Sequence, residues 1–102
     1  MKELKIFYII IEHILPQKPN KDWQEKYSKE ELEEMLKYKD TISNLTLTGS
    51  NSNLSNKSFI EKRNIPVYGY KESKLFLNKY LGEQQEWNTL KMNERFEILY
   101  EN

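Results

Sequence analysis

Apolar residues gather first in residues 6–15, where Ile6, Phe7, Ile9, Ile10, Ile11, Ile14 and Leu15 crowd together without a helical stripe and stop at Pro16. A β-branched run ended by proline predicts a mostly buried strand of about eight residues. Glu12 and His13 stand side by side near its end, so they point to opposite faces unless the strand bulges there. Residues 17–27, rich in Pro, Asn, Lys and Asp, read as a loop. Ser28 and Glu31 carry the spacing of a capping box, and Leu32, Met35 and Leu36 follow at helical intervals, predicting a helix over 29–39. Ile42, Leu45 and Leu47 among Thr and Ser predict a second strand within 41–48, and 49–53 reads as a turn. Ser52 or Asn53 is then placed to cap a short helix carrying Leu54, Phe59 and Ile60 to about Arg63. A third helix is predicted over 71–81 with Gly82 at its C′ position. The last runs over 89–100, with Met92, Phe96 and Leu99 on one face. The pattern is α+β. Strands within 8–14 and 42–47 are expected to pair antiparallel, with the helix at 53–63 across them and the helix at 28–39 inserted between them.

The 102 residues suit one domain, with a core at about 8–63 and a helical C-terminal extension over 70–100. Leu, Ile, Val and Phe make up 26 of the 102 residues, which is enough for a folded chain. Cysteine is absent, which excludes disulfide frameworks, thiolate metal sites and a Cys nucleophile, and fits a reducing compartment. The longest apolar run falls far short of the roughly 20 residues that a membrane span needs. Without a signal-peptide shape either, the expected location is the cytoplasm. Net charge is zero but unevenly spread: −1 over residues 1–40, +4 over 41–79 and −3 over 80–102. A basic middle third offers a local anion-binding surface within a neutral protein.

The residues with chemical potential follow a definite order. A strand delivers Glu12 and the chain's single histidine, His13; a second strand opens with Asn44 and Leu45; a turn with Asn51 leads into a basic helix. That is the ordering of a ββα-metal site. Phosphodiester hydrolysis needs an activated water in line with the leaving 3′ oxygen and a cation to neutralise the five-coordinate phosphate. An imidazole takes a water's proton at neutral pH. A carboxylate and an amide oxygen are hard ligands suited to Mg²⁺ or Mn²⁺.

Residues 12–17 (EHILPQ), 44–51 (NLTLTGSN) and 54–63 (LSNKSFIEKR) resemble the C-terminal HNH-type nuclease domain of GmrSD-like modification-dependent restriction endonucleases. The likeness extends through Tyr70, Ser73, Trp87, Met92, Arg95 and Leu99, with Ser43 in place of the glycine usual before Asn44. It implies an endonuclease of restriction or phage defence that binds one divalent ion, Mg²⁺ or Mn²⁺, and cuts DNA to 5′-phosphate and 3′-hydroxyl ends. Carried over, His13 is the general base and Glu12 a metal ligand. Asn51 supplies an amide oxygen to the metal, with Asn53 two residues on as the other candidate. Asn44 braces the backbone around His13, and Lys57, Lys62 and Arg63 contact DNA phosphates. The resemblance implies DNA, modified or unmodified, as substrate, and a ParB-like N-terminal domain or a separate subunit, outside these 102 residues, is the expected partner. The alternative is a non-catalytic nucleic-acid-binding or assembly subunit that keeps the HNH fold and needs a partner for activity.

Overall fold

The computed structural model describes residues 10–49 and 54–101. Within them, β1 (Ile10–His13) pairs antiparallel with β2 (Leu45–Thr48) in the register Ile10 to Thr48, Ile11 to Leu47, Glu12 to Thr46 and His13 to Leu45. The class is α+β, a two-stranded hairpin with helices around it. The sidedness of the hairpin follows from the period of two in a strand. Glu12, Thr46 and Thr48 are buried, whereas Ile11 is 61% exposed. The inner face is therefore polar, because it abuts buried polar side chains of the helical layer. Asn78 makes this concrete: it accepts from the Thr46 hydroxyl, and its amide donates to the Leu47 carbonyl at 2.9 Å.

Between the strands lie α1 (Lys21–Glu25) and α2 (Lys29–Lys37). Helix α1 falls in the segment read as a loop. Five residues are too few for a periodic signal, and its stability comes from two anchors, one local and one distant in sequence. The Asn20 side chain caps the Trp23 amide, and the buried Trp23 indole donates to the Lys57 carbonyl at 2.8 Å. Helix α2 ends two residues before the expected Lys39. Its Ser28 cap forms, but the Glu31 carboxylate reaches across instead and accepts from the Thr89 amide and hydroxyl, each at 3.1 Å. Glu31 thus caps another helix.

Further along the described residues come α3 (Phe59–Asn64), α4 (Phe76–Gly82) and α5 (Thr89–Glu101). The helix expected over 53–63 is interrupted: Leu54 is helical, a turn follows in which the Lys57 amide donates to the Leu54 carbonyl at 3.0 Å, and α3 begins at Phe59. The cap of α3 is Ser58, in a complete capping box with Glu61. Ser52 and Asn53 lie outside the described residues. Helix α4 starts five residues later than expected, after turns that tie Lys71 to Arg63 and both Glu72 and Ser73 to Gly69. Gly82 is its last residue and not a left-handed cap. Glycine is needed there because an added Cβ would meet the Tyr70 carbonyl at 2.9 Å. Helix α5 matches its expected span to one residue, but its inward face is Met92 and Arg95, with Phe96 stacked outside on Tyr100.

The core joins Ile14 and Leu15 of the post-strand segment with Trp23, Met35, Leu54, Phe59, Tyr70, Leu81, Trp87 and Met92. Phe59 stacks on Trp87 at 5.7 Å between ring centres. No helix among the described residues is long and apolar enough to cross a membrane.

Candidate active site

The end of β1 sets the site. Strand alternation sends Glu12 inward and His13 to the opposite face, and both residues border an open cleft of about 310 Å³. Ile11, Pro16, Gln17, Lys18, Ser55 and Asn56 complete its lining. Asn56 closes one side by binding the facing loop, accepting from the Asn20 amide at 2.9 Å and donating to the Lys18 carbonyl at 3.2 Å.

Glu12 is 1% exposed and paired with Lys62, which is wholly buried. The Lys62 ammonium donates to Glu12 Oε1 at 2.8 Å and to the His13 and Ile14 carbonyls at 2.9 Å each. All three of its protons are thus directed at the end of β1. Burial pushes the Glu12 carboxyl above its ordinary range despite the adjacent Lys62, and lowers the Lys62 ammonium below its own. Among the described residues Glu12 Oε2 has no hydrogen-bond partner; the same is true of the Tyr70 hydroxyl and Arg95 Nε.

Asn44 lies beneath the site, fully buried. Its Oδ1 accepts from the Leu15 amide at 2.8 Å and the Trp87 indole at 3.1 Å, and its Nδ2 donates to the Leu15 and Lys39 carbonyls at 2.9 Å. Its backbone carbonyl accepts from the Ile14 amide. One residue, through its side chain and its backbone carbonyl, therefore fixes the two residues after His13, the end of the α2 connection and the Trp87 ring. Asn44→Ala leaves four groups unsatisfied at once, three of them buried, and is expected to destabilise the chain by about 2–4 kcal/mol. Urea unfolding measures this, and an unchanged midpoint contradicts it.

The expected phosphate contacts separate. Lys57 is exposed just before α3. Lys62 is corrected: with its ammonium buried and committed to Glu12, it presents no charge to an external phosphate. Arg63 is half-buried, and its Nε donates to the Gly82 carbonyl at 2.9 Å, so part of its guanidinium is structural. Asn51 and Asn53 lie outside the described residues. Two residues escaped the sequence reading. Exposed Lys18 lines the cleft, and Asp40 Oδ1 stands 2.9 Å from His13 Nε2. Asp40 is 27 positions from its partner, beyond any local spacing rule, while Lys18 sat unremarked in a loop next to the motif.

Among the described residues no three His, Cys, Asp or Glu side chains cluster as a metal cage. The residues fit a Mg²⁺-type ion in a narrower sense: Glu12 keeps one unpartnered carboxylate oxygen, and such ions bind through one or two protein oxygens plus water and substrate phosphate.

The model of one protein family, GmrSD restriction endonucleases, C-terminal domain, matches residues 1–102. No curated protein and no solved structure matches the chain.

Proposed function

The chain belongs to the family of GmrSD restriction endonuclease C-terminal domains, and on that footing we propose that it is a metal-dependent DNA endonuclease domain with His13 as general base. The observation that carries this reading is the end of β1, where the single histidine opens on a cleft beside a buried carboxylate with one oxygen unpartnered. His13 takes a proton from water as the water oxygen bonds to phosphorus and the bond to the 3′ oxygen breaks; the 3′ oxygen is protonated from solvent. Glu12 and Asn51 hold the ion, which when bound supplies positive charge to the phosphate. Lys57 and Lys18 meet the DNA backbone, and Asn44 keeps the catalytic loop in shape. Phosphate contacts of this kind position DNA without reading its bases, so recognition of sequence or modification falls to a ParB-like domain or subunit.

One feature favours a second reading, a non-catalytic DNA-binding or assembly subunit: Lys62 already neutralises one Glu12 oxygen. Supercoiled plasmid separates the two. The nuclease reading expects open circles with Mg²⁺ or Mn²⁺ and none with a chelator, and Glu12→Gln should need several-fold more metal for the same rate. Plasmid left intact at every metal concentration, with DNA bound, favours the subunit.

A further inference from the structure

The His13–Asp40 contact fixes more than a ring position. Asp40 Oδ1 lies 2.9 Å from His13 Nε2, and the Asp40 side chain is 63% exposed against 23% for His13. The hydrogen bond to His13 holds the Asp40 carboxyl below its ordinary range, with Gln17 and the charge of Lys39 acting in the same direction. An ionised carboxylate accepts hydrogen bonds and cannot donate them, so the proton in this contact belongs to Nε2. A neutral imidazole with its proton on Nε2 carries its lone pair on Nδ1. The placement is not an accident of a floppy turn. Asp40 follows the α2 connection at the point where Asn44 grips the Lys39 carbonyl, while the same Asn44 grips Leu15 two residues after His13. Both partners are therefore tied to one buried amide.

We infer that Asp40 is the positioning residue for His13, holding the imidazole as the Nε2–H tautomer and leaving Nδ1 to accept the proton from water. The tautomer stands on the contact geometry with an ionised Asp40; the proton transfer rests on the nuclease reading above. Asp40 touches neither DNA nor metal in this account and acts only through the ring.

The single histidine makes the test direct. A two-bond ¹H–¹⁵N spectrum of the labelled chain is recorded at about pH 8.5, above the ordinary imidazole pKa of about 6.5. Wild type is expected to show one tautomer, protonated at Nε2. Asp40→Ala, at an exposed position where the fold should persist, spreads the population over both tautomers. Asp40→Asn keeps an accepting oxygen and restores the Nε2–H form. In plasmid nicking, Asp40→Ala lowers kcat roughly 10–100-fold with KM unchanged, the range seen for carboxylates behind functional imidazoles, and Asp40→Asn recovers part of it. An unprotonated Nε2 in wild type overturns the inference, as does an Asp40→Ala chain with wild-type tautomer population and kcat. The expected spectrum from a chain that cuts nothing supports the tautomer assignment and overturns the nuclease reading.

Discussion

Lys62→Met is expected to cost about 3–5 kcal/mol of folding stability, because it removes one member of a buried ion pair and leaves the other behind. Lys62 is wholly buried and Glu12 nearly so, and no other cation is bonded to that carboxylate among the described residues. The substitution also strips the donor shared by the His13 and Ile14 carbonyls. Methionine fills a similar volume, so the loss reports the charge and hydrogen bonds more than a cavity. The pH dependence has a definite sign. Burial already raises the folded Glu12 pKa, and without the ammonium it rises further above the unfolded value. Its contribution to stability is then present below the unfolded carboxylate range and lost as pH rises through the folded value, so the variant regains stability toward acid. Glu12→Gln combined with Lys62→Met leaves no charge unpaired and should recover most of the loss. Urea midpoints measured across pH check all three statements, and a Lys62→Met midpoint equal to wild type at neutral pH contradicts the buried pair.

What was legible in the sequence was whatever depends on neighbours a few positions apart. The Ser28 cap and the start of α5 at Thr89 follow from local spacing, while the pairing of the two strands follows from the order of the motifs. Lys62 shows where that logic stops. On a short helix with Glu61 and Arg63 beside it, it reads as a solvated charge, and its burial is decided by Glu12 fifty positions earlier. The sidedness of the hairpin is hidden for the same reason: the first strand reads as mostly buried, yet Ile10 and Ile11 are exposed while polar Glu12, Thr46 and Thr48 turn inward toward partners far along the chain. Helix α1 was hidden by its brevity. For the site, the motif order located Glu12, His13 and Asn44, while Asp40 became visible only when the end of α2 was folded against β1. Residues 50–53, which carry Asn51 and Asn53, lie outside the described residues.

His13→Ala is expected to lower DNA cleavage by about 10²–10⁴-fold, the usual contribution of a positioned general base. The fold should survive the change. His13 lies at the rim of the cleft, and its side-chain hydrogen bond among the described residues is to exposed Asp40. The backbone around it is held independently, through its own carbonyl by Lys62 and through Leu15 by Asn44. A loss of cleavage with an unchanged urea midpoint therefore isolates the imidazole. The most direct measurement is side-by-side nicking of supercoiled plasmid by wild type and His13→Ala, in Mn²⁺ and in chelator. Open circles are expected from wild type in Mn²⁺ and not in chelator, with little nicking by His13→Ala in either. Equal nicking by both proteins, or none by wild type with the metal present, would contradict that expectation.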